Sequence, residues 1–193
     1  MHKTFHNRNK NNPEAALVDA MEWWSNLKEP PSEEDRTIYD WAPFLNEKLE
    51  KDNIKQLSLD DFIEVCSRIH AFGDHSTRVK HTILGYPERL PHMKKKERIK
   101  LLAEWLYKQR SKGGRHVMDT IYYVLYGGPV KDVPNRIFDA KEQEEWKIRE
   151  LGIGTIGEMI GWAMPNQFPP RNGRTSKALS ALGYEVTIHT EKY

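Results

Sequence analysis

The chain has 193 residues, with 30 Lys/Arg against 28 Asp/Glu, a formal net charge of +2 and 38% hydrophobic residues, enough for one domain with a real core or for a compact pair of helical lobes. A single cysteine excludes an internal disulfide framework, no Cys/His spacing of zinc type occurs, and no apolar run approaches the roughly 18 residues needed to cross a bilayer. These features read as a cytoplasmic chain that uses neither metal nor cofactor and does not enter a membrane.

Residues 1–12 are polar and lack an apolar segment, so they read as a disordered leader rather than a signal peptide. The remainder, 13–193, reads as a single helical domain in three stretches: N-terminal helices over 13–92, basic and central helices over 93–137, and a hairpin unit with a C-terminal segment over 138–193. Asn12-Pro13-Glu14 caps a first helix whose apolar face holds Ala16, Leu17, Ala20, Met21, Trp24 and Leu27, and Pro30-Pro31 ends it. Ser32 with Asp35 opens a second helix as a capping box, with a break expected near Pro43. Ser58 with Asp61 repeats the signature, and the helix behind it carries Phe62, Cys66, Ile69 and His70 before stopping at Gly73.

A long amphipathic helix follows from about Met93 to Arg110, burying Ile99, Leu102 and Leu106. Beyond Gly113-Gly114, the run from Val117 to Leu125 is apolar nearly all round. It fits a central helix, although its β-branched residues leave a strand open. Gly127-Gly128-Pro129 ends it, the hairpin unit follows from about Asp139 with a charged amphipathic helix expected over Lys141 to Glu150, and Tyr184 to Thr190 alternates in the manner of a short terminal strand. The fold class is all-α with a C-terminal helix-hairpin-helix unit.

Charge is unevenly placed. Between Thr77 and Val117 stand twelve Lys/Arg against three acids, which makes this stretch +9 and the rest of the chain −7. A concentrated basic field favours a polyanion, because neutralised phosphates release condensed counterions. Lys94, Lys95, Lys96, Lys112 and Arg115 are the residues expected to track a phosphate backbone, with Gly113-Gly114 allowing close approach of the main chain.

The most informative segment is Leu151-Gly152-Ile153-Gly154-Thr155. Gly152, Gly154 and Gly157 satisfy G-x-G-x-x-G, but the dinucleotide fingerprint needs an apolar strand before the first glycine and an acid about twenty residues on, and neither is present. A helix, a Gly-Ile-Gly turn and a second helix instead suit backbone phosphate binding, since the new helix N-terminus presents unpaired N–H groups and the positive end of its dipole. Ile153 is expected to be the buried pin of that hairpin.

The segment from Leu151 to Gly183 resembles the second half of the helix-hairpin-helix DNA glycosylase domain through Leu151, Gly152, Gly154, Phe168, Pro169, Leu182 and Gly183. In that family the loop after Phe-Pro supplies a catalytic Asp, and bifunctional members place a Lys just after the hairpin. Here Pro170-Arg171-Asn172 and Thr155-Ile156 occupy those places. The resemblance therefore implies a DNA-binding relative with no catalytic residues.

Phe168-Pro169-Pro170-Arg171-Asn172-Gly173 and Ala178-Leu179-Ser180-Ala181-Leu182-Gly183-Tyr184, taken with the hairpin, are also similar to modules attached to the AAA+ motor subunits of McrBC-type modification-dependent restriction systems and related defence ATPases. No Walker A sequence occurs, so such a motor would lie on another region or polypeptide. The resemblance implies duplex DNA, with or without a modified base, as the partner. Gly152, Ile153, Gly154, Thr155, Arg171, Asn172 and Arg174 form the expected grip, and Trp41 is the candidate for stacking on a base.

Two further readings stand beside this one. A divergent glycosylase would need another acid, such as Glu158 or Glu150, and an interaction module would offer its basic patch to an acidic protein. Cys66 lies on an apolar helical stripe, which predicts an inert buried thiol. His70, Asp74 and His75 read as a helix terminus rather than metal ligands.

Overall fold

The computed structural model describes residues 4–29, 32–86, 92–169 and 173–187. Ten α-helices stand among them: α1 Thr4–Arg8, α2 Pro13–Ser25, α3 Glu33–Lys48, α4 Leu59–Arg68, α5 His70–Ser76, α6 Lys95–Tyr107, α7 Val117–Tyr126, α8 Val133–Glu142, α9 Ile153–Ala163 and α10 Gly173–Leu182. The chain divides into two compact units, one of residues 1–40 with 171–193, the other of residues 41–170. The larger unit is continuous in sequence and the smaller one is built from both ends of the chain.

In the smaller unit α1 falls within the stretch read from the sequence as a leader. It packs on α2, with Arg8 and Asn9 both bound to Asp19 at 3.1 and 2.9 Å. Asn12 caps α2 by accepting from the N–H groups of Glu14 and Ala15, and the Ser32 hydroxyl accepts from Asp35 N–H ahead of α3. The His6 Nδ1 lies 3.2 Å from the Leu182 carbonyl, tying α1 to the end of α10. Gly183 follows with φ 98°, and a Cβ there would lie 2.2 Å from the same imidazole nitrogen. Only glycine satisfies both demands. Residues 184–187 are not extended into a strand, and 188–190 lie outside the described residues.

The central unit carries the core, with Phe62, Val65 and Cys66 of α4, Phe72 of α5, Leu102 and Leu106 of α6, Val117 and Val124 of α7 and Met159 of α9 all buried. Val117–Tyr126 is a helix, resolving the ambiguity of its β-branched residues. The break expected at Pro43 is absent: α3 carries the proline within the helix. A break occurs instead where one helix was expected to run to Gly73. Ile69 adopts φ −93° and ψ 109°, so α4 ends and α5 starts anew. The cause lies far along the chain, for the Glu158 carboxylate of α9 accepts from the N–H groups of His70 and Ala71, both at 2.9 Å.

Candidate nucleic-acid interface

The helix expected up to Glu150 ends at Glu142, and residues 143–152 form a strap leading into α9. Its sequence explains why it is held without being helical. Ile148 and Leu151 are buried hydrophobic anchors, and Trp146 stacks on Tyr123 at 3.9 Å with rings 7° apart while the Arg115 guanidinium lies 4.9 Å from its ring centroid. Thr120 Oγ1 donates to the Trp146 carbonyl and Ser111 Oγ to that of Glu145. Glu150 then turns the chain with φ 63°, its carboxylate 2.9 Å from His75 Nε2 and 3.7 Å from Arg149 Nε.

The strap explains Gly113-Gly114 differently from a phosphate site. A Cβ on Gly113 would lie 2.8 Å from Glu145 Cα, so the glycine permits close approach of protein backbone, and Gly114 supplies φ 80°. Lys112 and Arg115, expected on DNA, are ion-paired here with Glu144 and Glu145. Both pairs are exposed, so each exchanges readily with another anion and adds little stability.

At the start of α9, Gly152 is the N-cap with φ −77° and ψ 156°, and among the described residues no side-chain hydrogen bond caps the helix. Gly152 and Gly154 are exposed. A Cβ on Gly152 would meet nothing within 4 Å, and one on Gly154 would lie 3.4 Å from the Ala71 Cβ. Neither glycine carries a side chain that could cover the first-turn N–H groups. Ile153 is only half-buried, so the pin of this turn is Leu151 with Ile156. Thr155 is 2% exposed, which directs its hydroxyl away from any solvent-side ligand.

The short helix α5 brings this terminus beside that of α6. Ala71 faces Gly154, while one turn on Asp74 holds Lys95 Nζ at 2.8 Å and a Cβ on Gly73 would lie 3.0 Å from Lys95 Cε. Lys94 is the α6 N-cap, its N–H bound at 2.7 Å by Glu97. Lys96 is exposed and forms no ion pair among the described residues. Arg98 is a structural donor instead, to the Ser76 and Thr77 carbonyls at the end of α5.

Trp41 is half-buried against the His70 ring, centroids 5.6 Å apart, so part of its surface is already committed. Arg171 and Asn172 lie outside the described residues, and Arg174 stands on α10 in the smaller unit. The Cys66 thiol is fully buried, and burial pushes its pKa well up, which keeps it protonated. Among the described residues no three His, Cys, Asp or Glu side chains converge on a common metal position, and no helix is long and apolar enough to cross a membrane. No protein-family model, curated protein or solved structure matches the chain.

Sequence reasoning missed Glu158 and His75 as the groups that shape this surface. Glu158 occupies an otherwise apolar helix, Ile156 to Ile160, and a carboxylate at such a position demands hydrogen-bond donors. That signal was legible, but its partners, 87 and 88 residues away, were not.

Proposed function

We propose that the central unit binds duplex DNA through the α9 N-terminus, with Gly152, Ile153 and Gly154 presenting backbone N–H groups to a phosphate and Lys94, Lys95 and Lys96 reaching a neighbouring one. The observation that carries this reading is the uncapped, glycine-lined terminus of α9 set beside the lysine-rich terminus of α6 across α5. Lys112 and Arg115 join by exchanging Glu144 and Glu145 for phosphate. The setting that the motif resemblance favours is the targeting module of a modification-dependent restriction or defence system, with an AAA+ motor elsewhere.

Base excision is the weaker reading. Glu158 is 1% exposed with both oxygens accepting backbone N–H groups, and Glu150 is held by His75. Neither carboxylate is free to serve a sugar or a base.

The test is a binding titration over unmodified, methylated, hydroxymethylated and mismatched duplexes at several salt concentrations, with alkaline treatment to detect excision. The expected result is a Kd that weakens steeply with salt, no strand breaks, and loss of binding when Gly152→Val is combined with Gly154→Ala. Normal binding by that folded double variant assigns the glycines a purely structural role.

A further inference from the structure

Four Lys/Arg and no acid stand between Trp105 and Met118, whereas residues 142–145 hold three Glu and no base. The fold lays the second stretch against the first. Gly113 N–H donates to the Glu144 carbonyl at 3.3 Å and Ser111 Oγ to that of Glu145, and a Cβ on Gly113 would come within 2.8 Å of Glu145 Cα. Two backbones held this closely bring their side chains into register: Lys112 pairs with Glu144, and Arg115 Nη2 with Glu145 Oε1 at 2.9 Å.

These pairs differ from a loose surface pair, whose two side chains must give up many geometries to meet. Here the backbone contacts fix the strap whatever the carboxylates do, and Trp146, stacked on Tyr123 at 3.9 Å, also carries the Arg115 guanidinium 4.9 Å from its ring centroid. Glu144, Glu145, Lys112 and Arg115 are nevertheless exposed, so each carboxylate can swing away without disturbing the core. Two cations are thereby held by acids of the same chain at high effective concentration, and a phosphate reaches them only by displacing those acids. The third acid faces elsewhere, since Glu142 pairs with Lys141 at 3.0 Å.

We propose that Glu144 and Glu145 are a built-in competitor for DNA, occupying Lys112 and Arg115 in the free chain and yielding them when phosphates take their place. This regulation rests on the DNA reading given above. Each displaced carboxylate subtracts from the affinity of the duplex, so the acid pair sets how tightly the chain binds and how much salt the complex withstands.

The experiment is fluorescence anisotropy of the full chain with a labelled duplex of about 20 base pairs over a salt series. Glu144→Gln with Glu145→Gln is expected to tighten binding about fivefold and to steepen the slope of log K against log salt by about 1 to 2. Glu142→Gln, which removes a neighbouring acid that neither cation uses, is expected to change affinity less than about twofold. In a chain already carrying Lys112→Ala and Arg115→Ala, the gain from the two Glu changes is expected to vanish. All of these side chains are exposed, and thermal melts verify that the variants stay folded. A gain of the same size in the Lys112→Ala, Arg115→Ala chain, or from Glu142→Gln alone, assigns the effect to the general field of the acids and overturns the proposal. So does duplex binding that Glu144→Gln with Glu145→Gln leaves unchanged. No duplex binding by the parent and by that double variant alike overturns the DNA reading itself, and this regulation with it.

Discussion

Glu158 and His70 stand 88 residues apart in sequence, yet the carboxylate of one accepts the backbone N–H of the other at 2.9 Å, with Ala71 N–H on the second oxygen. This pair of hydrogen bonds does the work of a capping side chain for α5, whose own N-cap, Ile69, has nothing to offer. It also locks α9 against the helix that separates it from α6. Glu158→Ala leaves two shielded donors unpaired and is expected to lower stability by about 2–4 kcal/mol, and Glu158→Gln, which keeps one acceptor, by less. Urea unfolding followed by circular dichroism measures both.

The glycines of the two candidate turns should respond oppositely to a methyl group. Gly113→Ala forces Cβ against the Glu145 backbone, 2.8 Å away, and is expected to cost about 1–3 kcal/mol. Gly152→Ala meets open space at an ordinary φ of −77°, so its stability should stay within about 1 kcal/mol of the parent. Denaturation midpoints of the two variants make the comparison.

Tyr123 should titrate late. Burial and the 2.6 Å hydrogen bond its hydroxyl donates to Asp139 raise its pKa from about 10 to about 12. Because the folded value exceeds the unfolded one, the stabilisation is complete below pH 10 and is lost as pH rises through 12. Tyr123→Phe should flatten that part of the stability profile, and phenolate absorbance should show one tyrosine fewer titrating at the alkaline end.

Lysines expected to act alike from the sequence should separate in their salt response. Lys96 is exposed and forms no ion pair among the described residues, whereas Lys112 must first leave Glu144. If DNA binds as proposed, Lys96→Ala should reduce the slope of log K against log salt by about 1. Lys112→Ala should reduce it less, because the Glu144 pair already offsets its charge. Fluorescence anisotropy over a salt series distinguishes them.

Some of this architecture was legible because its causes are local. The Ser58 and Asp61 capping box, the Asn12 cap and the helix over Lys95–Tyr107 depend on residues within a few positions of one another. The strap was not legible. Residues 143–146 carry a helix-like charged pattern, but Trp146 gains more from stacking between Tyr123 and Arg115, and Ser111 and Thr120 take carbonyls that a helix would have used. The candidate interface divides the same way: the uncapped Gly-Ile-Gly start of α9 follows from its own residues, and its placement beside Lys95 follows from α5.

By itself, the sequence determined an all-helical chain, the positions of most helix starts, and the concentration of positive charge between Thr77 and Val117, since propensity, capping and composition act over one or two turns. Only the tertiary structure decided that the chain ends join into their own unit, that α4 and α5 part at Ile69, and which basic residues already face an acid. Those outcomes depend on groups distant in sequence meeting in space, where a buried carboxylate must find donors and two backbones can touch only at glycine.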